Sequence, residues 1–147
     1  MSIFFTIGYQ GTDPESFLSE LSSYDIELLI DVRELPLSRK KGFSKRQLME
    51  MLAADGIEYE HHRDLGSPRE LRNKLRQDHA YGFADFAESF IATRPKRLHI
   101  LEQLSRQSED KRICLMCFEG DASGCHRSIL SNEMIELGLG ATEVVHL

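Results

Sequence analysis

The residues best suited to chemistry lie in one short segment that contains two thiols, a carboxylate, an imidazole and a guanidinium: Cys117, Glu119, Cys125, His126 and Arg127. An apolar run, Ile113–Phe118, leads into this segment and predicts a buried strand. A patterned helix is predicted to follow and to end at Leu137. In open α/β sheets, a strand-to-helix turn of this kind lies at the carboxyl edge of the strands, where ligands bind. We therefore expect the functional site at this turn.

The two thiols differ in how strongly their positions predict reactivity. Ser123 is a good N-cap residue, which would place Cys125 in the first turn of the helix, where free amides and the helix dipole stabilise a thiolate. Cys117 lies near the carboxyl end of the predicted strand and can face either a cleft or the core. Cys114 stands three residues before Cys117, but side chains three apart in a strand point to opposite faces. We therefore assign Cys114 to the core and keep Cys117 and Cys125 as catalytic candidates.

The other side chains of the segment can assist these thiols. Glu119 and His126 are candidate proton carriers, although a structural hydrogen bond is an equal alternative for His126. Arg127 can contact an anion beside the helix amides, or it can form an ion pair that ties the turn together. Zinc is commonly bound by thiolates and imidazoles, and the segment contains three such side chains: Cys117, Cys125 and His126. Their spacing matches no zinc motif, and adjacent residues diverge on a helix, so we assign no metal and no cofactor.

Two groups of residues nearer the start of the chain are candidate ligand-binding residues. Asp31 interrupts an otherwise apolar predicted strand, and an aspartate is costly to bury unless it is paired. Arg33 is its natural partner, either in a structural lock or in a cleft, and Ser38 and Arg39 follow in the next loop. The turn from Gly8 and Tyr9 to Gly11 can bring backbone amides to a phosphate, but it matches neither a dinucleotide-binding motif nor a P-loop.

Composition narrows the class of protein. The chain has 147 residues, ordinary hydrophobic content of 41% and a net charge of −6. This length favours a single domain, 1–147, and the apolar runs are too short to span a membrane. An odd cysteine count without a secretion leader favours the cytoplasm.

The charges are distributed unevenly along the chain. Six basic residues against one acidic residue lie in Arg33–Arg46, and a second basic stretch covers Arg63–Arg76. Basic loops on an acidic protein suggest capture of a small anion, whereas the net charge does not favour nucleic acid as a partner. A solvated surface without a partner explains the same pattern.

The hydrophobic pattern alternates strands and helices along the whole chain. Apolar runs near residues 4–8, 28–32, 57–61, 113–118 and 142–147 predict five strands, and amphipathic segments between them predict helices. Ser44 and Gln47 have the form of a capping box at the start of one helix. Helices between strands favour a right-handed three-layer α/β sandwich around a mostly parallel sheet of about five strands.

The candidate residues, taken in order, resemble the domain of unknown function 488 family. The matching positions span nearly the whole chain: Thr6-Ile7-Gly8-Tyr9, Asp31-Val32-Arg33, Pro36, Ser38-Arg39, Phe43-Ser44, Tyr59, Leu65-Gly66, Cys117, Glu119 and Cys125-His126-Arg127. The resemblance implies a small single-domain α/β protein and marks these residues as the site. Leu29–Glu34 is also similar to a strand of rhodanese-like sulfurtransferases, but the Cys-initiated anion loop of those enzymes is absent.

These observations favour a cytoplasmic α/β protein that binds an anionic ligand, bearing phosphate or nucleotide groups, at the carboxyl ends of the strands. A thiol at Cys117 or Cys125 would make it a thiol-dependent enzyme. Two alternatives stay open: a nucleic-acid-associated module that uses the basic loops, and a non-catalytic domain whose polar cluster is structural. The residues alone leave open whether the protein is an enzyme. We expect no membrane partner.

Overall fold

A five-stranded sheet forms the centre of the computed structural model, which describes residues 2–147. The strands are β1 (Ser2–Gly8), β2 (Leu28–Asp31), β3 (Glu58–His61), β4 (Ile113–Cys117) and β5 (Ala141–His146). They lie in the order β3-β2-β4-β1-β5, and every neighbouring pair is parallel. The predicted α/β class, with a parallel sheet of about five strands, is confirmed.

Six α-helices connect or flank the strands: α1 (Pro14–Ser23), α2 (Lys45–Ala54), α3 (Arg69–Gln77), α4 (Phe83–Ile91), α5 (Leu98–Gln107) and α6 (His126–Glu136). Buried side chains of α1 and α2 pack on one face of the sheet, and those of α4, α5 and α6 pack on the other. These two layers of helices around the sheet form the predicted sandwich. Within residues 2–147, no helix is long and apolar enough to cross a membrane.

The central strand β4 is buried on both faces. Ile113, Leu115 and Cys117 pack with the α4–α6 layer, whereas Cys114 and Met116 pack with α1 and α2. This alternation follows from the two-residue period of a strand, and burial on both faces is typical of parallel sheets. Cys114 therefore lies in the core, as its spacing predicted, on the opposite face from Cys117.

The chain leaves β1 and β4 toward opposite faces of the sheet. α1, which follows β1, belongs to one helical layer, and α6, which follows β4, belongs to the other. Because β1 and β4 are neighbours, their connections separate at the carboxyl edge and leave a crevice there. Open α/β sheets bind ligands at such a switch point. The fold thus brings Gly8, at the end of β1, next to the segment that begins at Cys117.

The predicted capping box at the start of α2 is wrong. Ser44 occupies the N-cap position, but its side chain makes no capping bond. Its Oγ instead accepts from the amide of Ser38 and donates to the carbonyl of Ser38, both at 3.1 Å. Gln47 Oε1 accepts from the amide of Gly42 at 3.0 Å. Both polar side chains close the preceding loop, which the local pattern could not show.

Candidate functional site

A cleft of about 530 Å³ opens at the carboxyl edge of the sheet, a volume typical of small-molecule sites. It lies over the ends of β1, β2 and β4 and beside the start of α6. Its charged and polar lining comes from both basic segments and from the Cys117–His126 turn: Tyr9, Arg33, Glu34, Ser38, Arg39, Ser67, Arg72, Arg76, Cys117, Glu119, Gly124, Cys125 and His126. The remainder is apolar: Leu35, Leu37, Leu75, Phe83, Phe86 and Phe118.

The side chains of Cys117 and Cys125 meet at the floor of this cleft. Their sulfur atoms are in direct contact, and each residue is only 1% exposed. Their Cα atoms are 7.7 Å apart. Disulfide bridges usually join Cα atoms about 4.4–6.8 Å apart, so this backbone separation is wide for a disulfide. The structure brings both predicted thiols to one point of the cleft.

Cys125 does not lie in the first turn of the helix, contrary to the sequence prediction. Residues 122–124 form a short 3₁₀ turn that Asp121 caps, and its carboxylate accepts from the amide of Ser123 at 3.0 Å. Cys125 is itself the N-cap of α6, with an extended backbone (φ −129°, ψ 143°). The expectation that Cys125 and His126 diverge on a helix is therefore wrong, because only His126 is helical.

As a result, the imidazole of His126 turns to the same side as the thiol of Cys125. The His126 Nδ1 atom lies 3.8 Å from Cys125 Sγ. One ligand atom from each of Cys117, Cys125 and His126 lies within 4.8 Å of the others, and all three residues are buried. The structure thus brings together three side chains of the kinds that bind zinc, although their spacing in the sequence matches no zinc motif.

The hydrogen bond of His126 identifies its tautomer. His126 Nε2 lies 2.8 Å from the carbonyl oxygen of Val32. A carbonyl only accepts, so Nε2 carries the proton and Nδ1 presents its lone pair to the sulfur. Burial lowers the pKa of His126 to about 4, with nearby arginines adding to the effect. The imidazole is therefore neutral at pH 7.

Arg127 lies beneath the Cys117–His126 turn and is fully buried. Its Nη1 donates to Cys117 Sγ at 3.1 Å and to the carbonyl of Glu119, and its Nε donates to Thr6 Oγ1 at 3.1 Å. Its Nη2 donates to the carbonyl of Gly120 at 3.3 Å. The guanidinium does not line the cleft. It holds the loop after β4 in place and faces Cys117, where its charge favours a thiolate.

The carboxylate of Glu119 lies near the Cys117 thiol. Its Oε2 is 3.7 Å from Cys117 Sγ, and the residue is exposed at the mouth of the cleft. A carboxylate with access to both solvent and the sulfur can carry a proton between them. This placement is compatible with the proton-carrier role expected from the sequence.

Asp31 and Arg33 form a lock behind the cleft. Arg33 Nε and Nη2 donate to the two carboxylate oxygens of Asp31 at 2.8 and 2.7 Å, and Tyr59 donates to Asp31 at 2.6 Å. Burial opposes the charge of Arg33, but the bonds and charge of Asp31 raise its pKa above the ordinary value. Burial and the same carboxylate raise the pKa of Tyr59. Asp31 is fully buried and does not reach the cleft, whereas Arg33 lines it.

Gly8 and Tyr9 position the end of β1 against the loop after β4. The amides of Tyr9 and Gln10 donate to the carbonyls of Cys117 and Phe118 at 3.2 and 2.8 Å, so they are already engaged. A Cβ at Gly8 would overlap the carbonyl of Glu119, so only glycine fits there. The Tyr9 ring lines the cleft and stacks on Phe43, and its hydroxyl accepts from Arg33 Nη1 at 3.2 Å.

Two arginines that sequence reasoning did not single out complete the cleft. Arg72 donates to Glu34 Oε1 at 2.9 Å and to the carbonyl of Ser67, which fixes it at the wall. Arg76, one turn further along α3, is exposed. The basic composition of Arg63–Arg76 was a signal for both residues. The apolar lining from α3 and α4 had no such signal, because its side chains follow an ordinary helical stripe.

Ser38 and Arg39 also line the cleft. Ser38 Oγ accepts from the amide of Lys40 at 3.0 Å, so it shapes the loop. Arg39 is exposed and makes no side-chain hydrogen bond to any of residues 2–147. Its guanidinium is therefore available to a ligand.

Comparison with known proteins identifies a family but no characterised relative. The family model described as "Domain of unknown function DUF488" matches residues 13–134. No curated protein and no solved structure matches the chain. Because the matched region covers most of the sequence and includes both cysteines of the cleft, the chain belongs to the DUF488 family.

Proposed function

We propose that this protein binds a small anionic ligand, bearing phosphate or nucleotide groups, in the cleft and acts on it as a thiol-dependent enzyme. The observation that carries the proposal is the convergence of the two basic segments on one cleft. Arg33 and Arg39 come from the first segment, and Arg72 and Arg76 come from the second. Four arginines against two glutamates line the cleft of a protein whose net charge is −6.

The four arginines divide into two kinds. Arg33 and Arg72 are held by carboxylates, Asp31 and Glu34 respectively, and supply guanidinium groups in fixed positions. Arg39 and Arg76 are exposed and can turn toward an anion. Guanidinium groups bind phosphate and carboxylate in a bidentate manner, which gives both affinity and orientation.

The apolar lining supports a ligand with a flat or hydrophobic part. Leu35, Leu37 and Phe118 line the cleft and remain 50%, 70% and 45% exposed. Large exposed apolar side chains beside a pocket are typical of ligand contact. A nucleotide combines a phosphate for the arginines with a base that can stack on an aromatic ring.

The position of the thiols supports chemistry on the bound ligand. Cys117 and Cys125 form the floor of the same cleft, with Glu119 and His126 beside them as proton carriers. Arg127 approaches Cys117 from behind and favours its thiolate. We further propose that the protein works in the cytoplasm, where both thiols stay reduced.

Isothermal titration of the reduced protein with pyrophosphate and with ADP tests the anion site. We expect binding that weakens about tenfold in Arg39→Gln and in Arg76→Gln, because a hydrogen bond to a charged group contributes about 1.5 kcal/mol or more. Arg46→Gln is the matched control, since Arg46 belongs to the same basic segment but does not line the cleft. Equal affinity in all three variants would refute the assignment.

A single-stranded oligonucleotide is the comparison ligand. If it binds with a steep salt dependence while pyrophosphate and ADP do not bind at millimolar concentration, the nucleic-acid module replaces the small-ligand proposal.

A further inference from the structure

We infer that Cys117, Cys125 and His126 form a zinc site with an open coordination position that faces the arginine-lined cleft. The inference keeps the anion site of the proposed function but revises the role of its thiols. With zinc bound, Cys117, Cys125 and His126 would act as ligands instead of as nucleophile and proton carrier. The binding of zinc itself does not depend on the anion site.

The donor set is suited to zinc. Two thiolates and one neutral imidazole are a ligand combination that catalytic zinc sites use, with the fourth position left to water or substrate. The three donor atoms lie within 4.8 Å of one another and belong to buried residues. All three residues also line the cleft, so a ligand in the cleft has access to the fourth position.

The orientation of His126 fits a metal ligand. A metal-binding histidine usually donates its other N–H to a carbonyl or carboxylate, which fixes the ring. His126 Nε2 has that partner in the Val32 carbonyl at 2.8 Å, so its Nδ1 lone pair is left facing the sulfur of Cys125. The Nδ1–Sγ separation is 3.8 Å. Standard bond lengths at a tetrahedral zinc give about 3.6 Å for a sulfur–nitrogen pair.

The backbone separation of the two cysteines also favours a bridging atom. Their Cα atoms are 7.7 Å apart, wider than the usual range of about 4.4–6.8 Å for a direct disulfide. A zinc ion between the thiolates would hold the sulfurs about 3.8 Å apart, from bond lengths of about 2.3 Å. Loading therefore separates sulfur atoms that are in contact without requiring the backbones of Cys117 and Cys125 to approach.

The surrounding charges stabilise the loaded site. Two thiolates balance the charge of Zn²⁺, and Arg127 Nη1 donates to Cys117 Sγ at 3.1 Å from the buried side. Hydrogen bonds of this kind to metal-bound groups tune affinity. On the cleft side, Arg33 and Arg39 line the same cleft as the three ligands, so we expect an anionic ligand there to contact zinc and a guanidinium together.

Cobalt titration tests the site directly. The protein is reduced, stripped of metal with a chelator and kept without oxygen, and Co²⁺ is added. We expect one equivalent to produce a thiolate-to-cobalt charge-transfer band and intense tetrahedral visible bands, both removed by Zn²⁺. Cys117→Ser and Cys125→Ser should each weaken binding by more than about tenfold, since even the loss of a group that hydrogen-bonds to a metal ligand costs this much.

Cys114→Ala is the matched control, because this third cysteine lies on the other face of β4 in the core. We expect it to bind one cobalt as the wild type does. Should a serine variant fail to fold, Zn²⁺ should still protect two of the three thiols of the wild type from alkylation. A reduced wild-type protein that takes up no cobalt overturns the inference, as does cobalt binding that Cys125→Ser leaves unchanged.

Three further outcomes distinguish the zinc site from a disulfide and from the anion site. If air oxidation removes two thiols while the reduced protein binds neither Co²⁺ nor Zn²⁺, Cys117 and Cys125 form a disulfide and the zinc site is wrong. Pyrophosphate binding that is lost in Arg39→Gln, with cobalt binding intact, supports the anion site independently. Cobalt binding without any pyrophosphate binding would retain the metal and refute the proposed ligand.

Discussion

The replacement Asp31→Asn should destabilise the fold more than any exposed substitution. The carboxylate of Asp31 accepts four hydrogen bonds, from the Nε, Nη2 and amide of Arg33 and from the hydroxyl of Tyr59, at 2.6–3.1 Å. An asparagine has one acceptor oxygen and turns an NH₂ group toward donors. The guanidinium of Arg33, only 7% exposed, would lose its counter-charge.

The size of the loss follows from that unpaired charge. Breaking a buried ion pair by removing one partner costs about 3–5 kcal/mol. With a urea m-value of about 2 kcal/mol/M, the unfolding midpoint should fall by about 1.5–2.5 M. Tyr59→Phe removes only one hydrogen bond to Asp31 and should cost about 1.5 kcal/mol. The double variant Asp31→Asn/Arg33→Met should recover part of the loss, because it leaves no buried charge.

Urea unfolding followed by far-UV circular dichroism measures these changes. Glu50→Gln is the control, since its ion pair with Arg46 is exposed and worth at most about 0.5 kcal/mol. A loss below about 1 kcal/mol for Asp31→Asn would refute the reasoning. So would a double variant no more stable than Asp31→Asn, because the cost would then not come from the unpaired guanidinium of Arg33.

Three other predictions concern the core and the loop after β4. Gly8→Ala should lower the melting temperature by roughly 3–10 °C, because the new methyl group displaces the Glu119 carbonyl and overpacking costs about 1–3 kcal/mol. An unchanged melting temperature would mean that the loop after β4 moves aside at no cost. Glu133→Gln should lower the free energy of unfolding, measured in urea, by about 3 kcal/mol, because it breaks the ion pair with Arg97, which is 0% exposed and donates two hydrogen bonds to Glu133. A loss as small as that of an exposed ion pair would contradict this prediction. Burial raises the pKa of Cys114, so iodoacetamide should label this thiol only when the protein unfolds, as mass spectrometry can follow. Labelling of Cys114 in the native protein at pH 8 would show that reagent reaches the core at this position.

The sequence was sufficient for the fold class and for the position of the Cys117–His126 segment at the carboxyl edge of the sheet. Alternating apolar runs predicted the strands, because each run reflects burial of one continuous segment. The turn after Ile113–Phe118 was placed at the carboxyl edge because a strand followed by a helix in a parallel sheet has no other position. The core role of Cys114 followed from the two-residue period of a strand. All of these inferences depend on neighbours along the chain.

The contacts between distant segments were decided only by the tertiary structure. The order β3-β2-β4-β1-β5 brings the two basic segments to one cleft, although Arg39 and Arg72 are 33 positions apart along the chain. The lock between Asp31 and Tyr59 crosses from β2 to β3, and Arg127 reaches Thr6 in β1. No local pattern encodes such pairings, because they arise from the register between strands.

The environment of Cys125 shows how small a difference between the predicted and the observed backbone can affect the site. A shift of the helix start from the predicted first turn to the N-cap changes one residue from helical to extended. With Cys125 extended, its thiol lies close to the imidazole of His126 and to the thiol of Cys117. The sequence determined which side chains are candidates for chemistry, whereas the tertiary packing of the turn decided that Cys117, Cys125 and His126 meet.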